Sequence, residues 1–164
     1  MTAESVYIRV AGFADIPLLS GLIRVAFGDV AERFALTVEN CPKHPSNCTD
    51  EWIESDLAKG VVYYVLEHDG APVGSVALEK ANPDLWYLER LGVLPESRRK
   101  GFGKKLVDHV FAEARALGAK QISIGIISDD TELKLWYKKI GFLERETKEF
   151  AHLPFLVSFM EYEL

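Results

Sequence analysis

The stretch from Arg98 to Lys105 has the composition of an anion-binding loop. Five of its eight residues are Lys or Arg and two are Gly, within a chain whose formal net charge is -6. It lies between a β-rich run, 85–93, and the start of an amphipathic helical pattern, 101–118. A helix N-terminus presents unpaired N–H groups and a partial positive charge, and glycines let the backbone approach a bound group closely. The predicted ligand is therefore a phosphate or pyrophosphate.

Two common phosphate-binding motifs do not match this stretch. A P-loop requires G-x-x-x-x-G-K-[ST], but Arg98 stands where the first Gly would be, and the Gly103-Lys pair is followed by another Lys. A dinucleotide fingerprint requires G-x-G-x-x-G, and Leu106 occupies the place of its third Gly. The spacing that remains is R-x-x-G-x-G, directly after a strand that ends in V-x-P.

The elements that position this loop predict a mixed α/β sheet with helices packed on its faces. The predicted order is β-α-α-β-β-β-α-β-α-β-β. Because a helix connects the runs 85–93 and 120–128, these two strands should be parallel with a right-handed crossover. The strands are predicted at 5–10, 61–67, 71–80, 85–93, 120–128, 142–150 and 153–164, and the helices at 14–27, 50–60, 101–118 and 129–141.

Bulk composition predicts one globular domain over residues 1–164. The chain is 48% hydrophobic and 27% charged, which is ordinary for a folded domain of this length. No run of about 18 apolar residues occurs, and the first ten residues do not read as a signal peptide. We therefore expect a cytoplasmic protein, and a sequence pI near 5.3 disfavours general nucleic-acid binding.

The basic stretch resembles the coenzyme A pyrophosphate loop of the GCN5-related N-acetyltransferase (GNAT) superfamily. A second signature of that family resembles "LKLWYKKIGF" at 133–142, a helix that carries a Tyr four residues before Gly-Phe. The predicted order of elements is also the family's order. The resemblance implies the GNAT fold and transfer of an acetyl group from acetyl-CoA to a primary amine by direct attack, with no metal.

The same resemblance implies how the donor is held. The pyrophosphate would lie on the N–H groups of about Arg99 to Lys104, and a basic side chain of the loop (Arg98, Lys100, Lys104 or Lys105) would reach the other phosphate. The pantetheine arm would pair with the main chain of Leu91 and Val93 if the neighbouring parallel strand splays away, and a bulge near Gly92 would open that gap. Asp130 stands where many members have an Asn that touches the coenzyme, although Asp also suits a helix cap. The expected coenzyme contacts are thus Leu91, Gly92, Val93, Arg98, Arg99, Lys100, Gly101, Phe102, Gly103, Lys104 and Asp130.

Three groups are expected to carry the chemistry. A free N–H at Val93 would polarise the thioester carbonyl. Tyr137 occupies the family's general-acid position, and a phenol is protonated at neutral pH and able to give its proton to a leaving thiolate. Strand alternation places Tyr87, Glu89 and Leu91 on one face, so Glu89 is the candidate base that deprotonates the acceptor amine.

The resemblance also implies that the segment between the first two predicted helices, 28–60, lines the acceptor site. This segment contains Cys41, His44 and Cys48 within eight residues, but three ligands without a nearby fourth are a weak zinc pattern. A disulfide is disfavoured in the cytosol. We interpret the segment as a lid that Trp52 completes, with His44 as a possible acceptor contact; His152 is another.

Several alternatives stay open at this point. A coenzyme A-binding module without turnover, acting as a sensor or interaction protein, would have the same loop. A nucleotide-binding enzyme such as a small kinase would need a P-loop and a paired acidic metal site, and this sequence has neither. The acceptor is a small-molecule or peptide amine of undetermined identity, with neither nucleic acid nor membrane expected as partner. A homodimer through the late strands is compatible with the family.

Overall fold

The computed structural model describes residues 5–164 and confirms the predicted fold class and order of elements. One element was not predicted, because a short helix occupies part of the stretch after residue 27 that lacks a regular pattern. The strands are β1 (Val6–Val10), β2 (Val62–His68), β3 (Ala71–Lys80), β4 (Leu85–Val93), β5 (Gln121–Ile127), β6 (Leu143–Lys148) and β7 (Val157–Glu163). The helices are α1 (Ile16–Ala26), α2 (Gly28–Arg33), α3 (Asp50–Ala58), α4 (Phe102–Ala116) and α5 (Thr131–Ile140).

The strands form a single mixed sheet in the order β1-β2-β3-β4-β5-β7-β6. Neighbouring strands are antiparallel except for β4 and β5, which are parallel as predicted. These two strands pair only at their beginnings, through Leu85–Gln121, Trp86–Ile122 and Tyr87–Ser123. Beyond Tyr87 they separate, and the resulting gap is the feature that positions the site.

A β-bulge in β4 accompanies this separation. Ser75 of β3 pairs with Gly92 and Ala77 pairs with Glu89, so two steps along β3 correspond to three along β4. Arg90 lies within the extra step at φ +51°, a left-handed conformation that costs a non-Gly residue about 1–3 kcal/mol. The bulge is therefore at Arg90, two residues before Gly92.

Gly92 instead permits close packing between β4 and α1. A Cβ built on Gly92 would lie 2.8 Å from the Ala26 Cβ and 3.1 Å from the Phe27 ring. Real Cβ atoms do not approach other carbons at 2.8 Å, so a larger residue would push α1 away from the sheet.

Two hydrophobic cores cover the two faces of the sheet. On one face, α4 and α5 pack Leu106, Val110 and Tyr137 against the sheet residues Leu88 and Ile122. On the other face, α1 and α3 cover a second core that includes Leu19, Ile53, Tyr63, Val65 and Ala77. Within residues 5–164, none of the helices is long and apolar enough to cross a membrane.

Candidate active site

The loop before α4 forms the wall of a cavity of about 320 Å³. Gly101 is the residue at the N-cap of α4 and has φ +81°, a conformation that favours glycine, while Arg99 is also left-handed at φ +63°. Among the described residues, no acceptor faces the N–H groups of residues 99–104. Nine of the expected coenzyme residues line this cavity, namely Leu91, Gly92, Val93, Arg98, Arg99, Gly101, Phe102, Gly103 and Lys104.

The side chain of Arg98 is already occupied by protein contacts. Its Nε donates to the Val93 carbonyl at 3.0 Å, and its Nη2 donates to the Ala26 carbonyl at 2.8 Å. Its Nη1 lies 2.9 Å from Asp29. This guanidinium therefore ties the loop to α1 and α2, and a contact of Arg98 with a coenzyme phosphate stays a prediction. Lys100 is exposed, and Lys104 is exposed and pairs with Asp108.

Replacing Arg98 with Met should lower the free energy of unfolding by about 1–2 kcal/mol, since hydrogen bonds of a charged donor to two carbonyls are lost. Coenzyme A should also bind more weakly to the loosened loop. Urea unfolding and calorimetric titration with coenzyme A measure the two effects. Lys139→Gln, an exposed charge at the end of α5, is the control. An Arg98→Met protein as stable as the wild type would exclude the anchoring role.

The N–H of Val93 points into the gap between β4 and β5. Leu94 N donates to the Val73 carbonyl at 2.8 Å, which identifies Gly74–Val93 as a non-hydrogen-bonded antiparallel pair. In such a pair the N–H and C=O groups point away from the partner strand. The Val93 carbonyl accordingly accepts from Arg98, and its N–H is directed where β5 has separated.

A second cavity, of about 350 Å³, lies on this gap and has Tyr137 and Glu89 in its wall. Leu91 and Leu133 line both cavities, so the two are adjacent. We refer to the first as the loop cavity and to the second as the gap cavity. Apolar side chains from the α1–α3 segment and from the stretch before β7 close the gap cavity, including Phe27, Val30, Pro45, Leu153 and Phe155.

Tyr137 is held rigidly in the wall of the gap cavity. Its ring meets those of Trp136 and Phe142 edge to face, at centroid distances of 4.9 and 5.2 Å. Only 4% of the residue is exposed, and burial raises the pKa of its hydroxyl. The phenol therefore holds its proton throughout the neutral range, as a general acid must before it acts.

Glu89 lies on the α1–α3 face of β4, opposite Ala77. Burial raises its pKa to about 8, and a hydrogen bond with Glu79 contributes to the rise. Leu91 does not share this face, contrary to the strand-alternation prediction, because the bulge at Arg90 shifts the alternation by one residue. Leu91 instead packs with Val93 against the core beneath α4.

The Glu79–Glu89 pair gives a testable pH effect. Removing the Glu79 charge with Glu79→Gln should lower the pKa of Glu89, since a neighbouring carboxylate disfavours the ionised form. If Glu89 acts as the base, the rising limb of the pH–rate profile should move from near pH 8 to lower pH. Glu146→Gln, an exposed carboxylate on β6, is the matched control and should leave the limb in place. If the limb of the Glu79→Gln enzyme stays near pH 8, Glu79 does not influence the pKa of the catalytic base.

Asp130 caps a helix, the alternative role that the sequence left open. Its Oδ1 accepts from the Leu133 N–H at 3.3 Å, and its Oδ2 lies 3.4 Å from Arg33. The residue is 4% exposed and borders the gap cavity rather than the loop cavity. Its carboxylate is therefore committed to α5 and Arg33, which disfavours the coenzyme contact.

The three residues considered as zinc ligands lie in two different places, the gap cavity and the core beneath α1 and α3. They are Cys41, His44 and Cys48. Cys41 and His44 line the gap cavity, whereas Cys48 is buried under α1 and α3. Both cysteines are free thiols. His44 Nδ1 accepts from the Ser46 N–H at 3.2 Å, and burial lowers the pKa of the ring. Across residues 5–164, no three metal-ligating side chains come together.

Sequence reasoning missed Arg90, which also lines the gap cavity. Its Nη1 contacts the Asp56 carboxylate and the Tyr63 hydroxyl, and Tyr63 donates to Asp56 at 2.6 Å. The guanidinium carbon lies 5.6 Å from the Trp52 ring centroid. Regular alternation would point Arg90 to the opposite face, so nothing in the sequence pattern selects it.

Comparison with known proteins identifies the family to which the chain belongs. A family model described as "Acetyltransferase (GNAT) family" matches residues 25–142. The chain belongs to this acetyltransferase family, and the resemblance stated from the two motifs is confirmed.

Individual relatives are distant. The chain is 28% identical over 138 residues to an amino-acid acetyltransferase of Neisseria meningitidis, a match that covers 84% of this chain and 27% of that protein. It is 26% identical to the uncharacterized N-acetyltransferase YjgM of Escherichia coli, covering 85% and 83% of the two chains. A PaiA N-acetyltransferase from Thermoplasma acidophilum, solved in complex with coenzyme A, superposes with a TM-score of 0.82 at 16% identity, covering 98% and 99%.

Proposed function

We propose that residues 1–164 act as one N-acetyltransferase domain that moves the acetyl group of acetyl-CoA directly to a primary amine. The observation that carries the proposal is the meeting of the loop and gap cavities at Leu91 and Leu133, beside the inward N–H of Val93. One cavity fits the donor and the other the acceptor. Family membership and the coenzyme A held by the PaiA structure support this assignment.

The loop cavity has the chemistry that a coenzyme A diphosphate needs. Free N–H groups at 99–104 and the start of α4 offer donors and a partial positive charge. The edge of β4 at Leu91 and Val93 offers main-chain groups for the amides of the pantetheine arm. The bound coenzyme supplies an acetyl thioester, whose carbonyl carbon is the electrophile.

Each of three residues at the gap between β4 and β5 is assigned one step of the acetyl transfer. Val93 N–H donates to the thioester oxygen, which gains negative charge as the amine nitrogen bonds to the carbonyl carbon. Glu89, once ionised, accepts the proton that the ammonium must lose, directly or through water. Tyr137 gives its proton to the sulfur as the C–S bond breaks. The products are the acetamide and coenzyme A thiol.

A panel of primary amines assayed with acetyl-CoA, with thiol release as the readout, tests the proposal. Thiol release that depends on the amine, with an acetylated product of the expected mass, supports it. Tight coenzyme A binding without turnover of any amine would instead favour the sensor or interaction module. The cytoplasmic location and the homodimer stay predictions, to be checked by fractionation and by light scattering.

A further inference from the structure

The bulge in β4 places two side chains of opposite charge type side by side in the gap cavity. In a regular strand Glu89 and Arg90 would face opposite sides of the sheet. The extra residue and the left-handed backbone at Arg90 bring its side chain to the α1–α3 face instead, where it meets Asp56 and Tyr63. Arg90 thus lies directly beside the candidate base.

The guanidinium of Arg90 is held on one edge only. Asp56 and Tyr63 both contact Nη1, and the guanidinium carbon lies over the Trp52 ring, 5.6 Å from its centroid. Within the described chain, no hydrogen-bond acceptor faces Nε or Nη2. Arg has a planar fork that matches a carboxylate through two parallel bonds. Its orientation is fixed by α3 and β2, while donors remain available to a ligand in the cavity.

The charged side chains in the wall of the gap cavity are two cations, Lys43 and Arg90, and two carboxylates, Glu89 and Asp130. Lys43 is exposed and lies 5.8 Å from the centroid of the Trp52 ring, near which the guanidinium of Arg90 also lies. Of the acidic groups in the wall, Asp130 is engaged by Arg33 and by the start of α5, and Glu89 lies against Glu79. Asp56 pairs with Nη1 of Arg90, and the two carboxylates of the wall are each engaged by another group.

The rest of the cavity wall is apolar. Phe27 and Val30 come from the α1–α2 end, and Leu153 and Phe155 come from the stretch before β7. A volume of about 350 Å³ lies at the lower end of small-molecule sites. The cavity therefore suits a small ligand with an apolar body rather than a long polyamine.

We propose that the acceptor is a small α-amino acid-type molecule with an apolar side chain, whose carboxylate binds Arg90 while its amine faces Glu89. This inference rests on the proposed function and names its substrate class. Arg90 is then the residue that selects amines carrying a carboxylate, and Lys43 in the cavity wall adds attraction.

Pairs of acceptors that differ only in the carboxylate test its contribution to the rate. L-leucine should be acetylated with a kcat/KM at least about tenfold above that of 3-methylbutylamine, and L-phenylalanine similarly above 2-phenylethylamine, because a fork-shaped charge pair forms only with the first of each pair. Equal rates within both pairs would overturn the inference while leaving the N-acetyltransferase function intact.

Variants of Arg90 test the residue itself. Arg90→Lys keeps the charge opposite Asp56 but loses the fork, so the preference for the amino acid over its decarboxylated partner should fall about tenfold. The double variant Asp56→Asn with Arg90→Gln removes both charges together and should abolish the preference. Arg115→Gln, a surface cation on α4, is the control. Equal loss of rate on both members of a pair in Arg90→Lys would indicate a purely structural role.

A binding measurement decides the point even if turnover is absent. N-acetyl-L-leucine and N-(3-methylbutyl)acetamide differ only by the carboxylate and can be titrated against the full chain by calorimetry, with Trp52 as a fluorescence reporter. The carboxylate-bearing ligand should bind at least about tenfold more tightly, and Arg90→Lys should remove the difference. Indistinguishable binding of the two ligands would overturn the inference independently of catalysis.

Discussion

Replacing Tyr137 with Phe should lower kcat about 100-fold or more, because loss of a general acid costs roughly 10²–10⁴ in rate. The hydroxyl is the group that protonates the leaving sulfur in the proposed mechanism. The ring is packed between Trp136 and Phe142, and Phe preserves that packing. Steady-state kinetics with saturating acetyl-CoA and acceptor measure the change in kcat.

The control for this experiment is another buried tyrosine of the same core. Tyr64 is 3% exposed and packs on the α4 side of the sheet, outside both cavities. Tyr64→Phe should keep kcat near that of the wild type. Coenzyme A should bind equally well to both variants, since neither hydroxyl lines the loop cavity. A Tyr137→Phe enzyme with unchanged kcat would remove Tyr137 from the proton transfer.

Replacing Glu89 with Gln should lower kcat/KM for the acceptor about 100-fold above pH 8, where the wild-type carboxylate is ionised. The sign follows from its raised pKa. Below about pH 8 Glu89 is protonated and cannot accept a proton, so wild-type activity should rise as pH increases through that value. In Glu89→Gln, this rise in the pH–rate profile near pH 8 should be absent.

The acceptor amine also titrates, so the pH–rate profile contains one limb from the substrate amine and one from Glu89, and the two must be distinguished. Changing to an acceptor of different amine pKa moves the substrate limb and leaves the Glu89 limb near pH 8. Glu146→Gln again serves as the exposed control. A limb that persists near pH 8 in Glu89→Gln would assign the base to another group.

The sequence predicted the fold because its signals are local. The bounds of β3 and β4 are the predicted ones, 71–80 and 85–93. The start of α3 has a local signal of the same kind, because the Thr49 side chain accepts from the Trp52 N–H at 3.3 Å. The short helix α2 lacked such a signal. Its six residues carry no regular apolar stripe and no side-chain cap.

The part of the candidate site that consists of consecutive residues was predictable from the sequence. The loop from Arg98 to Lys104 lies as expected, because strand, glycines and helix start are consecutive. The role of Arg98 was not predictable, since its partners in Ala26 and Asp29 are about 70 residues away in sequence. The Glu79–Glu89 contact likewise depends on the register between β3 and β4, which the bulge sets.

The bulge at Arg90 also has a consequence for the kinetic order of the reaction. Before it, β4 presents Glu89 to the α1–α3 face, and after it, Leu91 and Val93 face the α4–α5 side. Donor and acceptor would then approach the same gap from different sides of the sheet, so neither has to leave before the other enters. Initial-rate plots at several fixed acceptor concentrations should therefore intersect, as in a ternary-complex mechanism, and parallel lines would contradict this arrangement.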